Sequence, residues 1–136
     1  MEHRKEMKKL KIFTNGCFDL LHVGHVELLK FCENLGDVYV AINSDSSVRR
    51  LKGENRPVNN ETDRKYMIER LFRVKKVFIF DEATPINLIE SLKPDIIVKG
   101  GDYRKEQVIG KDLADVIIFP FIRGYSTSII IDKVLK

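Results

Sequence analysis

The sequence predicts an α/β domain built on a doubly wound, mostly parallel sheet of five strands with helices on both faces. Two observations carry that reading. Short β-rich runs alternate with helix-period runs along the whole chain, with no internal repeat and no low-complexity tract. The chain has 136 residues, 43% hydrophobic and 32% charged, enough for one core and too few for two.

Each element follows in order. Residues 1–9, MEHRKEMKK, carry charge without an apolar stretch behind them and read as a charged flexible arm, so that residues 10–136 form the single domain. Lys11 to Thr14 is the first strand, stopped by the turn signal Asn15-Gly16. From about His22 to Leu35, Leu28, Cys32 and Leu35, with Val26 and Leu29 beside them, recur at helical spacing, and Gly36 ends the run. Val38 to Ile42 is a buried strand, followed by polar Asn43 to Ser47 and a basic loop through Val58. Asn60 or Thr62 caps a helix with Met67, Ile68, Leu71 and Phe72 inward. Val77 to Phe80 is the third strand. Pro85 opens a helix faced by Ile86, Ile89 and Leu92, which Pro94 stops. Asp95 to Val98 and Val116 to Phe119 are the fourth and fifth strands, and Ser126 opens a last helix with Ile130, Ile131, Val134 and Leu135 inward.

Strands joined by helical crossovers run parallel, which makes the expected object Rossmann-like, and in such sheets ligands sit outside the carboxyl ends of the strands. The chemistry-bearing residues gather at those ends. Asn15-Gly16-Cys17-Phe18-Asp19 and His22-Val23-Gly24-His25 follow the first strand, Asn43 and Asp45 the second, Lys99-Gly100-Gly101-Asp102-Tyr103 the fourth, and Gly124 to Ser128 the fifth.

His22 and His25, three apart at a helix start, share one face, where free amides and the positive end of the helix favour an anion. Gly24 between them lacks a Cβ and lets a phosphate approach the backbone. Arg49, Arg50, Lys52 and Arg56 surround only Glu54 and mark a second anionic contact, although three of them, Arg49, Arg50 and Arg56, read as a solvated face. Arg64 lies near a helix start where the dipole disfavours a cation; a ligand phosphate explains it, and an exposed pair with Asp63 or Glu61 is the alternative.

Several classes are excluded or disfavoured. Two cysteines, Cys17 and Cys32, make neither a disulfide framework nor a four-ligand zinc site, and no apolar run approaches the ~18 residues of a membrane span, so a reduced, cytoplasmic setting is expected. The net charge of +4 suits anionic partners of any kind. Nucleic acid is not expected among them, because no aromatics interleave the arginines.

The segment Gly16 to His25 resembles the signature of the nucleotidyltransferase superfamily with the H-x-G-H motif, and Ser126-Thr127-Ser128 matches its second motif, a serine-threonine step opening the last helix. Within that superfamily the segments TNGCFDLLHVGHV, INSDSSVRRLKGENRPVN, Asp63-Arg64, VKGGDY and GYSTS are most similar to the adenylyltransferase domains of ADP-heptose synthases. Glycerol-phosphate cytidylyltransferases resemble the chain less, with threonine where Cys17 stands and arginine where Phe121 stands. Many heptose enzymes also carry a sugar kinase domain, for which these 136 residues leave no room.

The resemblance implies that a sugar 1-phosphate, at best D-glycero-β-D-manno-heptose 1-phosphate, joins the nucleoside monophosphate of ATP with release of pyrophosphate. Two other readings remain: a CTP-dependent enzyme acting on glycerol 3-phosphate or another polyol or sugar phosphate, and a non-catalytic nucleotide- or RNA-binding module. His22, His25 and Lys52 are the implied catalytic residues. Asn15, Gly16, Cys17, Phe18, Asp19, Gly24, Asn43, Asp45, Arg64, Lys99, Gly100, Gly101, Asp102, Ser126, Thr127 and Ser128 are the implied binding residues. Mg²⁺ is expected with the triphosphate, its protein ligands unassigned, with Asp19 one carboxylate in reach of that role. Relatives are often dimers, and Phe119, Phe121 and Ile122 would face either a core or a second copy.

Overall fold

The computed structural model describes residues 9–120 and 124–135. Most of the charged arm, together with Phe121 and Ile122, therefore lies outside the described residues. The elements are β1 (Lys11–Gly16), α1 (Val23–Leu35), β2 (Asp37–Asn43), α2 (Asp45–Lys52), α3 (Glu61–Leu71), β3 (Lys76–Phe80), α4 (Ile86–Leu92), β4 (Ile96–Gly100), β5 (Asp115–Phe119) and α5 (Thr127–Leu135). All strand pairs are parallel and their order is β3-β2-β1-β4-β5.

That order places the topological switch point between β1 and β4, since the chain winds from β1 toward β3 on one side and from β4 toward β5 on the other. The register makes the crevice. β1 stays paired with β2 as far as Gly16 and Ile42, whereas its pairing with β4 ends at Phe13 and Ile97. Beyond that point the two strands part on their carboxyl side. The core has two halves, one on each face of the sheet. Ile12, Leu28, Leu29, Cys32, Val40, Ile68 and Val98 fill the side of α1 and α3. Phe13, Ile89, Ile97, Val108 and Val116 fill the side of α4. Gly36 ends α1 as expected, its N–H bonded to the Cys32 carbonyl.

Several expectations are corrected. Asn15-Gly16 continues β1 rather than turning. The stretch read as a basic loop begins with a helix, α2, whose N-cap Ser44 accepts from the Ser47 N–H and whose last turn carries Arg49, Arg50 and Lys52, where cations complement the dipole. On α3 and at its C-cap Phe72 the inward set is Arg64, Ile68 and Phe72, at spacings of four, while Met67 and Leu71 face solvent. Val26 is likewise exposed on α1, which buries Leu28, Leu29 and Cys32. In α5 no residue is buried, and Val134 and Leu135, expected inward, are 77% and 80% exposed.

Candidate active site

The loop from β1 to α1 builds the centre of the site. His22 is the N-cap of α1, and the two histidines form a reciprocal capping box. His22 Nδ1 accepts the Gly24 N–H at 3.0 Å, and His25 Nδ1 accepts the His22 N–H at 3.3 Å. With Nδ1 of each ring accepting, the proton of each neutral imidazole sits on Nε2, the donor left for a ligand. The rings stack with centroids 3.8 Å apart, and the Phe18 ring tilts against His25 at 5.0 Å. Burial pushes the His25 imidazole down to about 4, the neighbouring His22 ring adding to the effect, and burial also lowers His22. Both shifts favour the neutral ring at pH 7.

The glycines around them have packing reasons. A Cβ on Gly24 would lie 2.8 Å from the His22 ring, so the space first read as room for a phosphate is room for the imidazole. A Cβ on Gly16 would meet the Phe18 ring at 3.2 Å, and Phe18 itself holds a positive φ of 48°. Gly101 turns the chain after β4 at φ 118°, its N–H bonded to the Phe119 carbonyl.

Two clefts open on this rim. The first, about 210 Å³, is bounded by His22, Gly24 and His25 on α1, by Lys99, Gly100 and Gly101 at the end of β4, and by Ser126 before α5. The second, about 380 Å³, takes in Cys17, Asn43, Lys52, Thr84 and Tyr103. Asn15, Gly16 and Lys99 line both. Thirteen of the nineteen sequence-predicted residues line one cleft or the other, Lys52 in the second rather than beside the histidines, while Asp19, Asp45, Arg64, Asp102, Thr127 and Ser128 line neither. Asp102 is exposed beyond Gly101, and Ser128 is exposed on α5.

Other predicted residues are engaged within the protein. Arg64, 1% exposed, donates to the Asn59 carbonyl, the Cys17 carbonyl and Asp45 Oδ1, each within 2.9 Å. Neither the free cation at a helix start nor the exposed pair with Asp63 or Glu61 describes it. Asp19 accepts from Arg56 Nε and from the N–H groups of Val58 and Asn59, so Arg56 is an internal partner and not part of a solvated face. Together Arg64 and Asp19 tie the loop after β1, the start of α2 at Asp45 and the segment from Arg56 to Asn59 to one another. Thr127 Oγ1 donates to the Leu20 carbonyl at 3.0 Å, and Ser126 Oγ accepts the Ile129 N–H as the cap of α5. Asn43 donates to Ser47 Oγ and accepts from Cys17 Sγ, and burial pushes the Cys17 thiol up.

Leu28, Phe119, Pro120 and Tyr125 also line the first cleft, though none of them is among the expected binding residues. Leu28 lies three residues after His25 on the same helix face, a signal available beforehand. Gln107 and Ile109 reach the second cleft from a 3-10 turn and its flank, Lys105–Gln107, for which composition offered no cue.

A family model described as cytidylyltransferase-like matches residues 13–133. "Bifunctional protein HldE" of Geobacter metallireducens is 51% identical over 142 residues, covering 100% of this chain and 29% of that protein. The protein of the same name from Nitratiruptor is 51% identical over 124 residues, covering 90% of this chain and 27% of its own length. The chain thus spans less than a third of these curated relatives. Among solved structures, the lipopolysaccharide core biosynthesis protein from Thermoplasma volcanium superposes with a TM-score of 0.69 at 28% identity, covering 87% of this chain and 99% of that one. Pantoate-beta-alanine ligase from Francisella tularensis, at 19% identity and a TM-score of 0.57 over 90% of this chain and 64% of its own, shares the fold.

Proposed function

The chain belongs to the cytidylyltransferase-like family, and on that premise we propose that residues 10–136 act as one nucleotidyltransferase domain joining a sugar 1-phosphate to the nucleoside monophosphate of ATP with release of pyrophosphate. The observation that carries this reading is the pair of imidazoles, each with Nδ1 accepting a backbone N–H and Nε2 left toward a ligand, in a cleft at the switch point. The near-complete coverage of this chain by relatives about half identical to it supports the same reading and favours an adenylyl over a cytidylyl group. D-glycero-β-D-manno-heptose 1-phosphate is the proposed acceptor.

In the reaction an oxygen of the acceptor phosphate attacks the α-phosphorus of ATP. That P–O bond forms as the bond from the α-phosphorus to the bridging oxygen breaks, and pyrophosphate leaves with the electron pair. The attacking oxygen is already ionised at neutral pH, with a second phosphate pKa of about 6, so no general base is needed. The site has to align two polyanions and meet the charge that builds on the α-phosphate. His22 and His25 donate to that phosphate, the end of the last loop at Ser126 offers hydroxyl and amide donors, and Gly100 and Gly101 leave a wall free of side chains for base or ribose. Lys52 supplies charge in the second cleft.

Mg²⁺ belongs to this proposal as the companion of the triphosphate. Among the described residues no group of three or more His, Cys, Asp or Glu side chains is arranged to hold a metal ion, and the Asp19 carboxylate is already engaged. The ion would take its oxygens from phosphate and water, neutralising the leaving group. No helix among the described residues is long and apolar enough to cross a membrane. A homodimer and a cytoplasmic site of action remain part of the proposal.

The test is pyrophosphate release with four nucleoside triphosphates against a panel of sugar and polyol phosphates. ATP with the heptose 1-phosphate is expected to be the fastest pair, and His25→Ala to slow it by about 100-fold or more. Faster turnover of CTP with glycerol 3-phosphate would reassign the substrates, and near-normal turnover in H25A would remove the histidine from the mechanism.

A further inference from the structure

Of the residues that bound the two clefts, only Asn15, Gly16 and Lys99 belong to both. The register explains why. Phe13 and Ile97 are the last paired residues of β1 and β4, and Asn15 and Lys99 are the next positions on the same face, where the strands have begun to part. Lys99 is the one cation of the three. Resting on the nucleotidyl-transfer reading above, we infer that Lys99 is a catalytic residue whose ammonium contacts both reacting phosphates, the α-phosphate in the first cleft and the acceptor phosphate in the second.

The physical need is specific to that junction. Attack brings two phosphate groups, each negative, to bonding distance, and their repulsion is greatest at the transition state. A cation between them is worth more at that moment than in either separate complex, which is the condition for raising turnover rather than binding alone. Other cations near the rim are already paired: Arg56 with Asp19, Arg64 with Asp45 and Arg50 with Asp81. Lys99 has no carboxylate within 4.0 Å among the described residues, and its ammonium rests 4.9 Å from the centre of the Tyr103 ring. A π face holds a cation more weakly than a carboxylate does, so the amine is retained in position yet available to an anion. Lys52, the other lysine of the second cleft, does not reach the first.

Burial lowers the Lys99 ammonium from its ordinary value, opposed in part by Cys17. The other titratable groups bounding the clefts are Cys17, Lys52 and Tyr103 on one side and His22, His25 and Tyr125 on the other. An arginine at position 99 keeps its charge at any accessible pH while leaving all of these in place.

The test compares wild type, Lys99→Met and Lys99→Arg as full chains, by steady-state pyrophosphate release with both substrates varied and by calorimetric titration with MgATP alone. K99M is expected to bind MgATP within about 3-fold of wild type, to lose about 100-fold or more in kcat and to raise the acceptor KM about 10-fold. K99R is expected to recover part of the kcat and to lack the alkaline fall in activity expected of wild type as the lowered Lys99 ammonium loses its proton. If K99M changes only the nucleotide KM, or leaves kcat and the acceptor KM as they were, Lys99 does not serve both phosphates. A wild-type chain that releases no pyrophosphate with any pair would remove the transferase reading and this inference together, a different outcome from an active wild type with an unimpaired K99M.

Discussion

A Cβ added at Gly24 would stand 2.8 Å from the His22 ring, so Gly24→Ala displaces the imidazole that caps α1 and holds its place against His25. A shift of about 1 Å in a positioned donor is enough to cost on the order of 100-fold in rate. Gly24→Ala is therefore expected to lower kcat by about 10- to 100-fold while thermal unfolding stays cooperative, as read by pyrophosphate release beside a melting curve. Arg64 makes the opposite prediction. Its buried guanidinium holds the Cys17 and Asn59 carbonyls and Asp45 together. Breaking a buried pair by removing one partner costs about 3–5 kcal/mol, reduced here toward about 3 kcal/mol because Asp45 is partly exposed. Arg64→Leu should show that loss in a urea titration. The histidines and the glycine between them were legible in the sequence as a motif at a helix start. The direction of each ring was not, since it depends on which backbone N–H reaches Nδ1.

The elements differ in how far their own sequence determines them. The phase of α3 was misread because a charged residue was assumed to point outward. Arg64 is instead buried with Ile68 and Phe72, its charge met by a carboxylate and two carbonyls from other segments. α2 escaped detection because a helix of eight residues that buries only Ser47 and Val48 leaves almost no apolar period to find. Its cap and its basic last turn were the available signals. α5 packs no buried side chain, and its hold on the rest of the site includes the Thr127 hydroxyl on the Leu20 carbonyl. Thr127→Val should therefore cost only about 1 kcal/mol. Amide exchange in α5 should be fast in the free protein and slow on addition of MgATP, a change that mass spectrometry of exchanged peptides would detect. Exchange in α5 that is slow already, or indifferent to MgATP, would show that the helix takes no part in binding.

At the scale of the molecule, the sheet order and its switch point make one rim of residues scattered from Asn15 to Ser126, and the alternation of elements was enough to anticipate that rim. Its division into two clefts could not be read beforehand, because it follows from the β1–β4 register ending at Phe13 and Ile97. The same burial that keeps the imidazoles neutral links the site to stability. His25 is lowered to about 4, below its unfolded value near 6.5, so the unfolded chain takes up the proton first as pH falls. The contribution is complete above pH ~6.5 and is lost progressively toward pH ~4. The melting temperature of wild type should fall across that window, and His25→Ala should flatten the slope.

The state of the two imidazoles is the most direct test of the whole account. Nitrogen-15 spectra of the histidine side chains at pH 7, with and without MgATP, are expected to show His22 and His25 neutral, with the proton on Nε2, and to show both Nε2–H groups shifting when the nucleotide binds. A proton on Nδ1, a charged ring in the free protein, or Nε2 signals that ignore MgATP would contradict it.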